Sequence, residues 1–145
     1  MKKLYAEQVQ VSGGRDGRAR SANGQLDVPL AMPPAIGGSG RGVNPEQLFG
    51  AAYAACFTSS VRYVAGQRQL DPGAVQTEAT VGLSVADDGR YLLDVSLRVT
   101  APGLRGEPGA AVLAEARRIC AFANAVRGNI ETAITLASAD DAIEA

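Results

Sequence analysis

Cys56 and Cys120 stand 64 positions apart in a chain of 145 residues that contains no histidine. Without histidine there is no Ser-His or Cys-His catalysis, and the commonest ligand of catalytic zinc is missing. Two thiols so far apart are too few for a zinc cage or a disulfide scaffold. Chemistry in this chain therefore rests on thiols, carboxylates, arginines or a borrowed cofactor. A free cysteine is most often a small buried hydrophobe, and composition alone favours that reading for both. Their settings argue otherwise: Cys56 falls on an aromatic-lined helix face, and Cys120 falls where a second helix ends.

The helix that carries Cys56 is sharply marked. Asn44 is a good N-cap, Pro45 suits the first helical position, and Gln47 sits where a capping box needs it. These signals predict a helix from Pro45 to about Gly66. Phe49, Tyr53 and Cys56 then share one face, with Phe57 beside them. Ala52, Ala55 and Ser59 form a neighbouring face of small side chains, so the helix is expected to be central and largely buried. Phe49, Tyr53 and Phe57, with Phe122 near the second cysteine, are candidates for core packing first and a substrate wall second.

Around this helix the pattern is mostly strand. Leu4 to Ser12 alternates loosely, and Gly13-Gly14-Arg15-Asp16-Gly17 breaks it with turn chemistry. Asn23-Gly24 marks a hairpin; Leu26, Val28, Leu30 and Met32 alternate beyond it, and Pro29 points to an edge strand or an early end. Pro33-Pro34 and Gly37 to Gly42 form a loop. Thr77–Ala86 and Tyr91–Thr100 read as a hairpin about Asp87-Asp88-Gly89. A second helix is expected over Glu107–Ile119, a closing strand over Asn129–Leu136, and a short, frayed acidic tail over 138–145. This order predicts an α+β fold with antiparallel pairing, in a single domain over 1–137.

The remaining composition excludes several functions. Net charge is −1, and the arginines are scattered, so no footprint for nucleic acid or an anionic membrane is present. The longest apolar-leaning run, Leu48 to Phe57, is about half of the roughly 20 residues that span a bilayer. The start, Met1-Lys2-Lys3-Leu4-Tyr5, lacks the apolar stretch of a signal peptide. A soluble, cytoplasmic protein is expected.

Asn44-Pro45-Glu46-Gln47-Leu48-Phe49, followed by Tyr53-Ala54-Ala55-Cys56-Phe57, resembles the first-cysteine segment of the organic hydroperoxide resistance (Ohr) family, a branch of the OsmC-like superfamily. Gly13 to Gly17 resembles its N-terminal arginine motif. Cys120 to Asn124, with Arg127-Gly128-Asn129, resembles its second-cysteine segment. The motifs fall in the family's order over nearly the whole chain. In one departure, Ala121-Phe122-Ala123 stand where the family usually has Pro-Tyr-Ser.

The resemblance implies an OsmC/Ohr-like fold, with antiparallel sheets packed on two main helices in an intertwined homodimer. It also implies a lipoyl-dependent peroxidase acting on organic hydroperoxides. It assigns Cys56 as the peroxidatic thiol, Cys120 as the resolving thiol, and Arg15 with Glu46 as a pair beside the peroxidatic sulfur. The disulfide formed would be reduced by an external dithiol, a lipoylated protein or dihydrolipoamide, with no metal or bound cofactor.

Chemistry agrees with these assignments. Peroxide cleavage needs a thiolate, and an ordinary cysteine with pKa near 8.5 is mostly protonated at pH 7. Cys56 lies about three turns into its helix, beyond useful reach of the N-terminal dipole. A nearby cation is required, and Arg15 is always charged and can hydrogen-bond both thiolate and peroxide oxygen. A carboxylate such as Glu46 would orient it. On an unbroken helix, however, Glu46 and Cys56 are about 15 Å apart along the axis. Either the helix starts late or kinks, or the site is shared across a dimer. Asn124 and Arg127 are weaker candidates: Arg127 could dock a carboxylate-bearing reductant, and a surface or fold-stabilising role is an equal reading. Two alternatives to the main reading stand: an OsmC-type peroxidase with other substrate preference, and a non-catalytic redox-sensing or binding module on the same fold.

Overall fold

Asn44 and Gln47 close the expected capping box in both directions. The Gln47 N–H donates to Asn44 Oδ1 at 2.8 Å, and the Asn44 N–H donates to Gln47 Oε1 at 3.0 Å. Such a cap contributes about 1 kcal/mol, and the helix it starts, α1, runs Pro45–Gln67. In the computed structural model, which describes residues 1–137, the chain gathers into two compact units, Met1–Leu48 and the part from Phe49 onward. The predicted acidic tail lies outside the described residues.

The first unit holds a three-stranded antiparallel sheet in the order β1-β2-β3: Val9–Ser12, Arg18–Ser21 and Asp27–Pro29. β1 is shorter than the Leu4 to Ser12 alternation suggests, and Leu4 and Tyr5 are exposed. The turn between β1 and β2 is a short 3-10 segment, Gly14–Asp16. Its glycines are required by geometry. Gly13 and Gly14 have φ of 74° and 59°, and a Cβ on Gly17 would stand 1.5 Å from the Ser12 carbonyl oxygen. Gly24 has φ 74° in the second turn, where the Asn23 Oδ1 accepts from Ser21 Oγ and the Gln25 N–H. β3 ends at Pro29 on the sheet edge, as a missing N–H dictates.

In the second unit, β4 (Gln76–Val85) and β5 (Tyr91–Thr100) form a ten-pair antiparallel hairpin. Helix α2 (Gly106–Ile119) follows, then a short α3 (Ala121–Val126), then β6 (Ala133–Ala137). β6 pairs with β5 in parallel, so this sheet, in the order β4-β5-β6, is mixed. The two helices form the crossover that returns the chain to run the same way as β5. The closing strand begins at Ala133 rather than Asn129, because the N–H groups of Asn129 and Ile130 bond back to the Val126 carbonyl.

The core draws on alternate positions of β5 (Val95, Leu97, Val99), on Val112, Leu113 and Ala116 of α2, and on Tyr53, Phe57, Val61 and Val64 of α1. These α1 residues follow one another at helical spacing along one face. Each large apolar side chain so buried is worth roughly 1.5–3 kcal/mol. The opposite face of α1, through Ala55, Ser59 and Tyr63, is exposed. The expectation of a largely buried helix therefore holds for one face only; the exposed face pairs small residues with one large aromatic, Tyr63.

Candidate active site

The two sulfurs meet. Cys120 Sγ lies 3.3 Å from Cys56 Sγ and donates its S–H to it. Both thiols are free, Cys56 partly buried and Cys120 with no exposed surface. Cys56 sits in mid-helix, where Ser60, one turn on, donates its hydroxyl to the Cys56 carbonyl at 3.0 Å. Cys120 occupies the break between α2 and α3, with φ −65° and ψ 125°.

The break is held by bonds that satisfy the last carbonyls of α2, groups that a helix end leaves without partners. The Cys120 N–H reaches Ala116 O at 2.9 Å, Asn124 Nδ2 donates to Arg118 O at 3.0 Å, and Arg127 Nη2 donates to Arg117 O at 3.3 Å. Asn124 and Arg127 thus tie the segment after Cys120 to the end of α2. Burial pushes the Cys120 thiol pKa up, and the Cys56 sulfur beside it adds to the rise. The backbone N–H groups of Ala123 and Phe122 act the other way, favouring the thiolate.

Three of the four expected aromatics come together near this pair. Tyr53 and Phe122 stack with centroids 6.2 Å apart, and Phe49 meets both edge-on at 6.2 and 6.5 Å. Phe57 does not join them. It is wholly buried in the core and offers no surface to a substrate; Tyr53 is buried as deeply, but its ring packs against Phe49 and Phe122, which are only partly buried. Two features escaped the sequence. Helix α3 is only six residues long, too short for any periodic signal. The buried contact of the Tyr53 hydroxyl with Thr132 Oγ1, at 3.4 Å, joins positions 79 apart.

In the first unit, Arg15 and Glu46 form a bidentate pair. Arg15 Nη2 reaches Glu46 Oε1 at 2.8 Å and Nη1 reaches Oε2 at 3.1 Å. The guanidinium holds the Glu46 carboxyl below its ordinary pKa, so this carboxylate is charged at neutral pH. Helix α1 begins at Pro45 and therefore does not start late.

Residues 38–135 match the family model described as OsmC-like protein. An organic hydroperoxide resistance protein of Xanthomonas axonopodis pv. citri is 41% identical over 138 residues, covering 94% of this chain and 96% of its own. The crystal structure of an organic hydroperoxide resistance protein from Legionella pneumophila superposes with a TM-score of 0.89 at 36% identity, covering 94% of this chain and 99% of its own. One from Elizabethkingia anophelis, solved with crystallant-derived thiocyanate bound, gives 0.89 at 34% identity, with 95% and 99% covered. The chain belongs to the Ohr family of OsmC-like proteins.

Against the Ohr pattern, the departure after Cys120 now has a structural meaning. Phe122 keeps an aromatic ring where the family has tyrosine, and that ring completes the Phe49–Tyr53 cluster. What is lost are two hydroxyls, at Phe122 and Ala123, and, at Ala121, the fixed φ of proline. Alanine, the best helix former, still begins α3. Among the described residues no group of three or more His, Cys, Asp or Glu could hold a metal ion, and no helix is long and apolar enough to cross a membrane.

Proposed function

We propose that this protein is a thiol peroxidase that reduces organic hydroperoxides to alcohols. The observation that carries the reading is the Cys56–Cys120 pair, in contact at 3.3 Å, with Cys56 partly buried and Cys120 fully buried. The Cys56 thiolate attacks the terminal peroxide oxygen; the O–O bond breaks, the alkoxide leaves and takes a proton as alcohol, and Cys56 becomes a sulfenic acid. The Cys120 thiolate attacks that sulfur and expels hydroxide, which leaves as water, giving the disulfide. A dithiol of the dihydrolipoyl class then restores both thiols by exchange and is itself oxidised to its cyclic disulfide.

Arg15, braced by Glu46, stabilises the departing alkoxide. It acts at the sulfur of its own chain or of a partner in a homodimer. The exposed face of α1, small at Ala55 and Ser59 and aromatic at Tyr63, suits packing against a second copy. If the site is shared, chains carrying Cys56→Ser and Arg15→Ala, unfolded and refolded together, recover activity; if it is not, mixed dimers stay inactive. Phe49 and Phe122, backed by the buried Tyr53 ring, form the apolar side of the substrate site.

The test is stopped-flow oxidation of the reduced protein, with thiols counted before and after. A bulky organic hydroperoxide should consume two thiols per chain, with kcat/KM at least tenfold above that for hydrogen peroxide. Equal rates with both peroxides, or no loss of thiols, would overturn the reading.

A further inference from the structure

One cavity lies next to the dithiol without containing either sulfur. It has a volume of about 390 Å³ and is lined by Tyr53, Ala123, Arg117, Arg127, Asn129 and Thr132, among others. That size suits a small molecule rather than a protein segment. Two walls belong to the redox centre's own supports. Tyr53 lies one turn before Cys56 and stacks on Phe122. Ala123 lies on α3, three residues after Cys120.

The chemistry of the lining is lopsided. Arg117 and Arg127 bring two guanidinium groups, and among the described residues neither is ion-paired with a carboxylate, although Glu131 also borders the cavity. Arg127 donates through Nη2 to the Arg117 carbonyl at 3.3 Å, which leaves most of its five N–H donors for other use. Tyr53 and Thr132 are 1% and 2% exposed, yet their hydroxyls meet at 3.4 Å, a long O–H···O contact against the usual 2.7–2.8 Å. In that contact Thr132 accepts, so its own O–H remains available. Two guanidinium groups and the Thr132 hydroxyl thus bring hydrogen-bond donors to one cavity, and planar guanidinium groups match a carboxylate in two-pronged fashion.

We propose that this cavity binds the carboxylate of a small organic acid, with Arg117 and Arg127 holding the anion and the Tyr53–Thr132 pair forming its floor. The assignment of that acid to the reaction rests on the peroxidase reading; the existence of the site does not. The same chemistry could come from either of two sources, an acid hydroperoxide or an acid thiol reductant.

Binding is read first, on the reduced wild-type protein, without turnover. Titration with hexanoate should shift the amide resonances of Gly128 and Asn129 to saturation, and uncharged hexanamide should bind at least tenfold more weakly. Arg117→Gln should weaken hexanoate at least fivefold and leave hexanamide unchanged. Arg127→Lys, which keeps the charge near the α2 end, should weaken hexanoate less than Arg117→Gln does. Equal binding of acid and amide, or hexanoate binding indifferent to Arg117→Gln, overturns the site. Kinetic arms then compare an acid dithiol with its amide, and an acid hydroperoxide with its amide. Preference for the acid, lost in Arg117→Gln, should appear in one arm and identifies the source. Preference in neither arm overturns a role in the reaction. Hexanoate binding by a protein with no peroxidase activity would instead remove the functional reading and leave the site standing.

Discussion

Cys56 and Cys120 touch, but the chain holds them in opposite ways. Cys56 is built into a 23-residue helix, its carbonyl bonded by Ser60 and the residue only partly buried. Cys120 stands at a break between two helices, wholly buried, with neighbours pinned by Asn124 and Arg127 to the last carbonyls of α2. A helix interior moves little, because a shift there costs ladder hydrogen bonds; a joint between helices can pivot. Closing a disulfide requires the sulfurs to move from 3.3 Å to about 2.05 Å. A partly buried thiol held in a helix suits first contact with peroxide, and a sheltered sulfur on a joint suits the closing movement.

The largest effect that bears on this division comes from removing each thiol. Cys56→Ser should abolish peroxide consumption. Cys120→Ser should still react once, then over-oxidise to the sulfinic acid, since nothing traps the sulfenate. Peroxide mass shifts on each variant would check both, and one fast turnover by Cys56→Ser would reverse the roles. A sharper test asks which sulfur an outside thiol attacks. With Cys120 buried, a monothiol added to the oxidised protein should be found on Cys56 in at least nine adducts of ten, with Cys120 as the leaving group. Peptide mapping that placed most adducts on Cys120 would show that the joint opens further than the reduced structure suggests.

A smaller effect follows from acidity. Burial raises the Cys120 pKa, so at neutral pH the resolving sulfur is a thiol, and only its thiolate closes the bond. The rate of disulfide closure after a single oxidising pulse should therefore rise about tenfold per pH unit from pH 7 to about 8.5. A closure rate that is flat over that range would mean that Cys120 is already ionised, against the direction that its burial sets.

Legibility in the sequence followed the same division. Helix α1 was readable almost to the residue, because Asn44, Pro45 and Gln47 are local signals and the aromatic spacing is periodic. The β4–β5 hairpin was equally plain from its central turn. The surroundings of Cys120 were not, because what shapes them is tertiary: carbonyls of α2 looking for donors, and β6 returning in parallel. The Arg15–Glu46 pair lay between, with glycines marking the turn but only a family resemblance naming the partner. Phe57 shows the limit of face counting. Helical spacing puts it beside Cys56, yet only the packed core shows that nothing outside can reach it.

The separation of 64 positions between the sulfurs has one further consequence. A Cys56–Cys120 bond would close a loop containing the whole β4–β5 hairpin and helix α2. Tying so long a loop removes a large share of the freedom open to the unfolded chain, worth about 4 kcal/mol by chain entropy. The oxidised protein should then melt roughly 8–16 °C above the reduced one, as scanning calorimetry on matched samples would read. Each turnover would carry the chain between a tethered and an untethered form, and the form waiting for peroxide is the one more easily unfolded.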